Sequence, residues 1–365
     1  MTGKPLHLLL APKERFEADG AGAFALNVLE TSRASRFRER ITVFGSPVAR
    51  PYDDIRFQPV DKAHWWEGDR NKAMARQYVR FMRAETPAFV EVYNRPVVAA
   101  TIGRRFGDIP VMLHLGNDPR SMDGSRTPAE RARLLERCSA VVCVSDFIRR
   151  CFLDGLVRRR AESVYVLHTG VRRPPELPPK ENHIVYVGRV VPEKGVLELV
   201  QALARVLPAH PEWKAEIIGA RWFGGGEKPT TYEKTVGQAA SACHRITLSG
   251  FRPHEEVLAS LARASIAVVP SRWDDPFPRS ALEALAHGCA LIASTRGGLP
   301  ELGRERALFV EAVSADALAD ALERLVTGDN EREALQRRAR DDFPFDVAQT
   351  TAALDDLREK LMSPA

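Results

Sequence analysis

The stretch Pro270–Leu302, PSRWDDPFPRSALEALAHGCALIASTRGGLPEL, decides the fold of this chain more than any other part of its sequence. It begins where the apolar run Ile266–Pro270 ends and passes through an acidic loop into a helical pattern. A second apolar run, Ala290–Ser294, and a pair of glycines follow. Short apolar runs that alternate with helical segments are typical of a parallel sheet covered by helices on both faces. We therefore predict an α/β fold with functional loops beyond the carboxyl ends of the strands.

The same alternation occurs on both sides of a proline-rich segment. Arg172–Asn182, RRPPELPPKEN, combines four prolines with several charges, which predicts a stiff, exposed linker. Buried strands are predicted at Leu6–Leu10, Ile41–Phe44, Pro87–Tyr93, Val111–Leu115, Ala140–Val144, Val164–Leu167, His183–Gly188, Trp213–Gly219, Arg245–Leu248, Ile266–Pro270 and Ala290–Ser294. We therefore predict two doubly wound Rossmann-like domains, residues 1–171 and 183–343, facing a central cleft. A final helix, 344–365, is expected to pack back on the first domain.

Composition narrows the classes of partner. A chain of 365 residues suits two domains, and a net charge of +5 favours acidic partners such as nucleotide phosphates or anionic lipids. No zinc-type cysteine and histidine spacing and no RNA-binding signature occurs, so we expect no nucleic-acid partner. Five cysteines in apolar surroundings predict reduced thiols, and no apolar run is long enough for a signal peptide or a membrane span. We expect a cytoplasmic protein.

The segment Val185–Gly195, VYVGRVVPEKG, is the first candidate for ligand binding. A predicted strand ends at Gly188, and Arg189 and Lys194 follow it. Two cations at the carboxyl end of a strand can converge on a diphosphate, because arginine offers a planar fork and lysine a point charge. The alternative is an exposed turn with scattered charges.

Two carboxylates within the opening stretch form the second candidate. Asp275 lies in the acidic loop, and Glu283 lies eight positions later in the predicted helix. A carboxylate accepts two hydrogen bonds and therefore suits the diol of a ribose or hexose, while the helix start offers N–H groups to a phosphate. The alternative for Glu283 is a capping box with Ser280. Gly297-Gly298 would let backbone approach the same ligand.

The first half of the chain carries weaker signals. Gly20 and Gly22 belong to a G-x-G-x-x-A pattern that lies too far beyond the first strand for a dinucleotide turn, which disfavours an NAD-dependent oxidoreductase. We expect instead a loop that admits an acceptor or a phosphate. His114 lies in a predicted strand, where the alternative is a core histidine, and Asn117 and Asp118 are predicted to contact an acceptor.

Together these elements resemble retaining glycosyltransferases of the GT-B fold, family 4 (glycosyl transferases group 1), over nearly the whole chain. The resemblance is strongest in GRVVPEKG and in the opening stretch, which resembles the family's E-x7-E element. It implies a nucleoside diphosphate sugar donor, UDP- or GDP-linked, with no cofactor and no metal. The segments YNRP and GNDP resemble a subgroup that builds bacterial cell-surface polysaccharide or lipopolysaccharide, which implies a saccharide or lipid-linked acceptor.

The resemblance also implies roles for single residues. Arg189 and Lys194 would hold the diphosphate and stabilise the leaving group, Glu283 would hold the ribose, and Asp275 the donor sugar. His114 is the fourth catalytic candidate. The remaining donor-binding candidates are Gly188, Phe277, Pro278, Arg279, Ser280, Gly20 and Gly22.

Three positions depart from the family pattern. Asp275 is one methylene shorter than the usual glutamate, Gly116 stands where a histidine is usual, and Thr169 stands where asparagine is common. These departures leave a second class open, a GT-B protein that binds a nucleotide sugar without turnover.

His64–Glu85 predicts a basic amphipathic helix. Its cations are Arg70, Lys72, Arg76, Arg80 and Arg83, and its apolar residues are Met74, Tyr78, Phe81 and Met82. Such a helix can lie on an anionic membrane, which predicts peripheral association with the inner membrane and access to a lipid-linked acceptor. The alternative is a packed helix with a solvated charged face.

Overall fold

The computed structural model describes residues 3–18, 20–60, 70–156, 161–221 and 228–363. The chain divides into two compact units. The first comprises Met1–Gly170 together with Val347–Ala365, and the second comprises Val171–Asp346. Each unit is built around its own parallel sheet.

In the first unit, seven strands are present among the described residues, in the order β3-β2-β1-β4-β5-β6-β7. They are β1 (Leu6–Leu9), β2 (Ile41–Gly45), β3 (Arg56–Pro59), β4 (Phe89–Tyr93), β5 (Val111–Leu115), β6 (Ala140–Cys143) and β7 (Val164–Val166). The helices around them are α1 (Ala23–Ala34), α2 (Arg70–Ala84), α3 (Pro96–Arg105), α4 (Pro128–Arg137) and α5 (Asp146–Leu153). The inner strands are mostly apolar and buried, because helices cover both faces of a parallel sheet, and His7, Glu91 and His114 are among the exceptions. The edge strand β3, RFQP, is largely exposed and was not predicted.

In the second unit, six described strands are ordered β10-β9-β8-β11-β12-β13. They are β8 (Glu181–Val187), β9 (Lys214–Ile218), β10 (Ile246–Gly250), β11 (Ala264–Val269), β12 (Ala290–Ser294) and β13 (Ala307–Val310). The helices are α6 (Val196–Val206), α7 (Thr231–Ala240), α8 (His254–Arg263), α9 (Arg279–Ala286), α10 (Leu299–Gly303), α11 (Ala315–Thr327) and α12 (Asp329–Asp341). Strand order reverses between β8 and β11, which is the position where doubly wound sheets bind ligands.

The last helix, α13 (Val347–Met362), belongs to the first unit. Its Leu354 and Leu357 join the apolar cluster formed by β1, β2 and α1. Its Arg358 is fully buried and lies 2.5 Å from the carboxylate of Glu91 in β4. Apolar packing and a buried ion pair therefore both hold the C-terminal helix α13 against the first sheet.

The α/β prediction is confirmed: both units are parallel, Rossmann-like sheets flanked by helices. The predicted linker ends earlier than expected, because β8 begins at Glu181. Lys180 anchors that end by donating to the carbonyl groups of Leu261, Ala262 and His287 at 2.6–3.3 Å.

The apolar face of the basic helix α2 packs into the core of the first unit. Met74, Tyr78 and Met82 are buried in the first unit, whereas Lys72 and Arg80 are exposed. The predicted apolar face is therefore unavailable to a membrane, which corrects that part of the prediction. Residues 64–69 of the predicted helix lie outside the described residues. In the described part of the chain, no helix is long and apolar enough to cross a membrane.

Candidate functional site

Three predicted loops meet at one edge of the second sheet. They follow β8, β11 and β12, which are neighbours, so their carboxyl ends lie side by side. Backbone hydrogen bonds join the loops: Arg272 donates to Glu193 at 2.9 Å, and Gly298 donates to Asp275 at 2.8 Å. The strand order alone therefore brings together Arg189, Lys194, Asp275 and the glycine pair.

Two glycines make this close packing possible. Gly195 has φ +69° and Gly297 has φ +60°, both in the left-handed region that favours glycine. A Cβ on Gly195 would overlap the carbonyl oxygen of Pro270, and one on Gly297 would overlap the carbonyl oxygen of Asp275. Neither obstacle is a movable side chain, so both positions require glycine.

Lys194 and Asp275 form an ion pair between two of these loops. Asp275 is only 4% exposed, and the hydroxyl of Ser271 donates to the same Oδ2 at 3.1 Å. The Lys194 ammonium also lies 5.5 Å from the ring centroid of Trp273. Asp275, predicted to contact the donor sugar, therefore holds Lys194 in this structure, and the sequence did not indicate Ser271 as its second partner.

Arg189 is exposed, and its guanidinium forms no hydrogen bond or ion pair with the described residues. The loop is fixed beneath it, because the hydroxyl of the buried Tyr186 donates to the carbonyl of Arg189 at 2.8 Å. The N–H of Gly188 donates to the carbonyl of Ile218 at 3.1 Å, which extends the pairing of β8 with β9 by one residue. Arg189, the predicted diphosphate contact, therefore has a fixed backbone and an exposed guanidinium that an anion can reach.

Glu283 is buried in α9, one turn after the helix begins at Arg279. Its Oε1 accepts from Arg279 Nε and lies close to His254 Nε2, both at 2.7 Å. Burial raises the pKa of Glu283, but Arg279 and His254 outweigh that effect and hold it below its usual value. An ionised carboxylate only accepts, so Nε2 of His254 carries the proton.

The capping-box alternative for Glu283 is wrong. Helix α9 begins at Arg279 with Pro278 as its N-cap residue, so Ser280 lies inside the first turn. No side chain caps this helix, which leaves its first turn suited to an anion. Phe277 is buried against Phe345 at 5.4 Å between ring centroids and therefore supports the loop.

In the first unit, a carboxylate lies at the glycine loop. Gly20 has φ +92°, and Gly22 is the N-cap residue of α1. Burial raises the pKa of Glu14, while the N–H of Ala25 and the charge of Arg95 lower it. A Cβ on Gly22 would come within 2.5 Å of Glu14 Oε2. Glu14 therefore occupies part of the helix start that the sequence assigned to an acceptor or a phosphate, and its Oε2 is buried without a hydrogen-bond partner among the described residues.

A small pocket, open to solvent, lies at the carboxyl ends of β4 to β7. His114 lines this pocket, whereas Asn117 and Asp118 do not. Its lining consists of Phe24, Asn27, Thr31, Tyr93, His114, Leu115, Gly116, Val142, Val144, Leu167, His168, Thr169, Thr350 and Leu354. Asp118 instead caps a short turn and binds Arg120 at 2.8 Å, and Asn117 is exposed.

Beneath His114 lies Glu91, a residue that the sequence reasoning missed. Glu91 is fully buried in β4 and receives Arg358 Nε on Oε1 at 2.5 Å. Its Oε2 accepts from the Tyr93 hydroxyl at 2.8 Å and lies 3.0 Å from His114 Nε2. The signal was available in FVEVY, since a carboxylate within a buried strand must find partners.

Among the described residues, no group of three or more histidine, cysteine, aspartate or glutamate side chains could hold a metal ion. The five cysteines are buried and form no disulfide.

Comparison with known proteins agrees with this geometry. Residues 170–342 match the family model of glycosyl transferases group 1. The putative glycosyltransferase YtcC of Bacillus subtilis is 24% identical over 319 residues, 80% of this chain and 75% of that protein. The glycogen synthase of Mycobacterium tuberculosis is 30% identical over 290 residues, 73% of this chain and 64% of that protein.

A solved structure extends the likeness to the whole chain. Anabaena Alr3699/HepE in complex with UDP and glucose superimposes with a TM-score of 0.77, covering 98% of this chain and 99% of that one, at 16% identity. The fold is therefore that of GT-B glycosyltransferases.

Proposed function

We propose that this chain, whose second unit matches the family model of glycosyl transferases group 1, is a retaining, metal-independent glycosyltransferase of family 4. It transfers a sugar from a UDP- or GDP-linked donor to a saccharide or lipid-linked acceptor, in synthesis of bacterial cell-surface polysaccharide or lipopolysaccharide. The observation that carries this proposal is the meeting of Arg189, Lys194 and the uncapped start of α9 at one sheet edge. Binding of UDP and glucose by Anabaena HepE supports the choice of donor.

The donor residues have distinct roles in this proposal. Arg189 and Lys194 hold the diphosphate, which leaves with an extra negative charge, so their main contribution is charge stabilisation. Glu283 accepts from the ribose hydroxyls, and Asp275 both holds Lys194 and faces the donor sugar. Gly20 and Gly22 remain predicted donor contacts of the first unit.

Retention follows a same-face route. The acceptor oxygen bonds to the anomeric carbon while the bond to the diphosphate breaks, and a phosphate oxygen takes up the acceptor proton. A double displacement requires a free carboxylate nucleophile near that carbon. Asp275 and Glu283 are both held in ion pairs, which disfavours that route.

Arg189→Ala provides the cleanest test. Because its guanidinium has no described partner, its loss should leave the free energy of unfolding unchanged while kcat falls on the order of 10²- to 10³-fold. Arg205→Ala, which removes an exposed arginine paired with Asp316 on the surface of the same unit, is the matched control. Transfer is measured with UDP- and GDP-sugars and a mixed set of saccharide acceptors. Near-normal turnover in Arg189→Ala would refute the donor assignment.

The same protein preparations separate a transferase from a binder without turnover. A nucleotide sugar that binds only the folded protein raises its apparent stability. A donor that stabilises the wild-type protein but is neither transferred nor hydrolysed would identify the binding class.

We further propose a cytoplasmic enzyme that associates with the anionic inner membrane through the cations of α2. Because Met74, Tyr78 and Met82 are buried, the attraction is electrostatic, on the order of 1 kcal/mol per lysine or arginine near the surface. Co-sedimentation with phosphatidylglycerol vesicles at low salt should fall in Lys72→Glu/Arg80→Glu. Wild-type protein that fails to sediment with such vesicles would contradict this proposal.

A further inference from the structure

We propose that Glu91 is a positioning residue that holds His114 as the Nε2–H tautomer, so that Nδ1 offers a hydrogen-bond acceptor to a neutral, hydroxyl-bearing ligand in the first-unit pocket. This inference rests on the proposed function for its effect on turnover. The proton on Nε2 follows from the contact with Glu91, and in the neutral ring Nδ1 is then the acceptor.

The charge state of Glu91 determines the tautomer. Burial raises the pKa of Glu91, but Arg358 and His114 outweigh burial and hold it well below its usual value. The carboxylate is therefore ionised and can only accept hydrogen bonds. Its Oε2 lies 3.0 Å from His114 Nε2, so Nε2 must carry the proton.

The position of the ring is fixed from two sides. The imidazole of His114 stacks on the phenol of Tyr93 at 4.3 Å between centroids and an interplanar angle of 5°. The Tyr93 hydroxyl binds the same Glu91 oxygen at 2.8 Å. Both residues line the pocket, and the His114 side chain retains 12% exposure. No described residue bonds Nδ1, so this nitrogen is left for a ligand.

The cation that keeps Glu91 ionised comes from the last helix, α13. Arg358 of α13 is fully buried and binds Glu91 Oε1 at 2.5 Å and Asp355 Oδ1 at 2.7 Å. The Ser35 hydroxyl lies 3.2 Å from Arg358 and donates to Asp355 at 2.8 Å. The ion pair thus keeps Glu91 ionised without placing a charge in the pocket.

The lining defines the class of ligand. No lysine, arginine, aspartate or glutamate lines the pocket. Asn27 Oδ1 is buried without a hydrogen-bond partner among the described residues, and with His114 Nδ1 it adds a second acceptor. Two acceptors beside aromatic rings require hydroxyl donors on a ligand with an apolar face, as on a sugar ring, and disfavour a phosphate.

The test compares the tautomer in matched variants of the full chain. Glu91→Gln alone would leave Arg358 buried and unpaired, so the informative variant is Glu91→Gln/Arg358→Met, which removes both charges. Ser35→Ala is the control, because it disturbs Arg358 and Asp355 without touching the contact between Glu91 and His114. Long-range proton–nitrogen spectra of histidine-labelled protein report the tautomer, with His114 assigned by its absence in His114→Asn.

We expect the Nε2–H tautomer of His114 in the wild type and in Ser35→Ala, and its loss in the double variant. Turnover should then fall on the order of 10- to 100-fold in the double variant, with donor KM unchanged. An unchanged tautomer in the folded double variant, or a changed tautomer with wild-type turnover, would overturn the positioning role. If the wild type transfers no sugar, the proposed function fails, and the tautomer comparison alone then decides whether Glu91 positions His114.

The ligand class is tested on the same resonances. Neutral methyl glycosides should shift the His114 signals, and glucose 1-phosphate should bind at least about tenfold more weakly, because no lysine or arginine lines the pocket to pair with a phosphate. Tighter binding of glucose 1-phosphate to this pocket would contradict the neutral class.

Discussion

The buried carboxylates of the two units find their cations in different ways. In the second unit, Glu283 binds Arg279, four residues earlier in the chain, and Asp275 binds Lys194 from the neighbouring strand's loop. In the first unit, Glu91 binds Arg358, 267 residues away on the returning helix. The proposed donor side therefore combines a pair within one helix with a pair between neighbouring loops, whereas the pocket of the first unit depends on an ion pair between distant parts of the chain.

The largest expected difference concerns the two arginines. Arg358→Met leaves Glu91 buried with no counter-ion and should cost about 3–5 kcal/mol of unfolding free energy in the first unit. Arg279→Met leaves Glu283 its bond to His254 and should cost about 1–3 kcal/mol in the second. Denaturant unfolding combined with hydrogen exchange of each sheet measures both. Equal losses would remove the distinction between the units.

A pH experiment sharpens the description of the first unit. His7 in β1 is fully buried beside the Tyr78 hydroxyl at 2.7 Å, and burial lowers its pKa from 6.5 to about 4. As pH falls, the unfolded chain binds this proton first, so stability present above pH 6.5 is lost between pH 6.5 and about 4. The loss should be about 3 kcal/mol. His7→Gln should abolish this portion of the pH dependence, and an identical pH slope in both proteins would contradict the assignment.

Two glycines offer a third comparison. Gly297→Ala would set a Cβ against backbone at φ +60° and should cost about 1–3 kcal/mol, with weaker donor binding. Gly116→Ala would press on the far end of the Phe24 ring, which can rotate, and should cost less than about 1 kcal/mol. Thermal unfolding and donor titration of both variants test the contrast. A larger loss in Gly116→Ala would show that the first-unit pocket is the more rigid region.

The smallest expected effects should be equal in the two units. Thr127 with Glu130 and Thr230 with Glu233 form complete capping boxes at the starts of α4 and α7. Thr127→Ala and Thr230→Ala should each cost about 1 kcal/mol. Ser280→Ala should cost almost nothing, because Ser280 caps no helix. A loss of about 1 kcal/mol in Ser280→Ala, by chemical denaturation, would restore the capping role.

Much of the proposed donor edge could be predicted because its charged residues lie where strands end. Arg189, Lys194 and Asp275 each follow an apolar run, and parallel neighbours place such positions together. Ser280 shows the limit of this reasoning. The pattern Ser-x-x-Glu was present, but Pro278 starts the helix earlier, and His254 and Arg279 compete for the glutamate.

Local patterns predicted the α/β alternation and the loops that follow β8, β11 and β12, because hydrophobic periodicity and turn chemistry act between near neighbours in the chain. The contacts of Glu91 with His114 and Arg358, the ion pair of Asp275 with Lys194 and the burial of the apolar face of α2 arise from packing between distant segments, which no local pattern encodes. A buried charge must be paired, but its partner is chosen through space, and no local pattern in FVEVY identifies an arginine on the last helix.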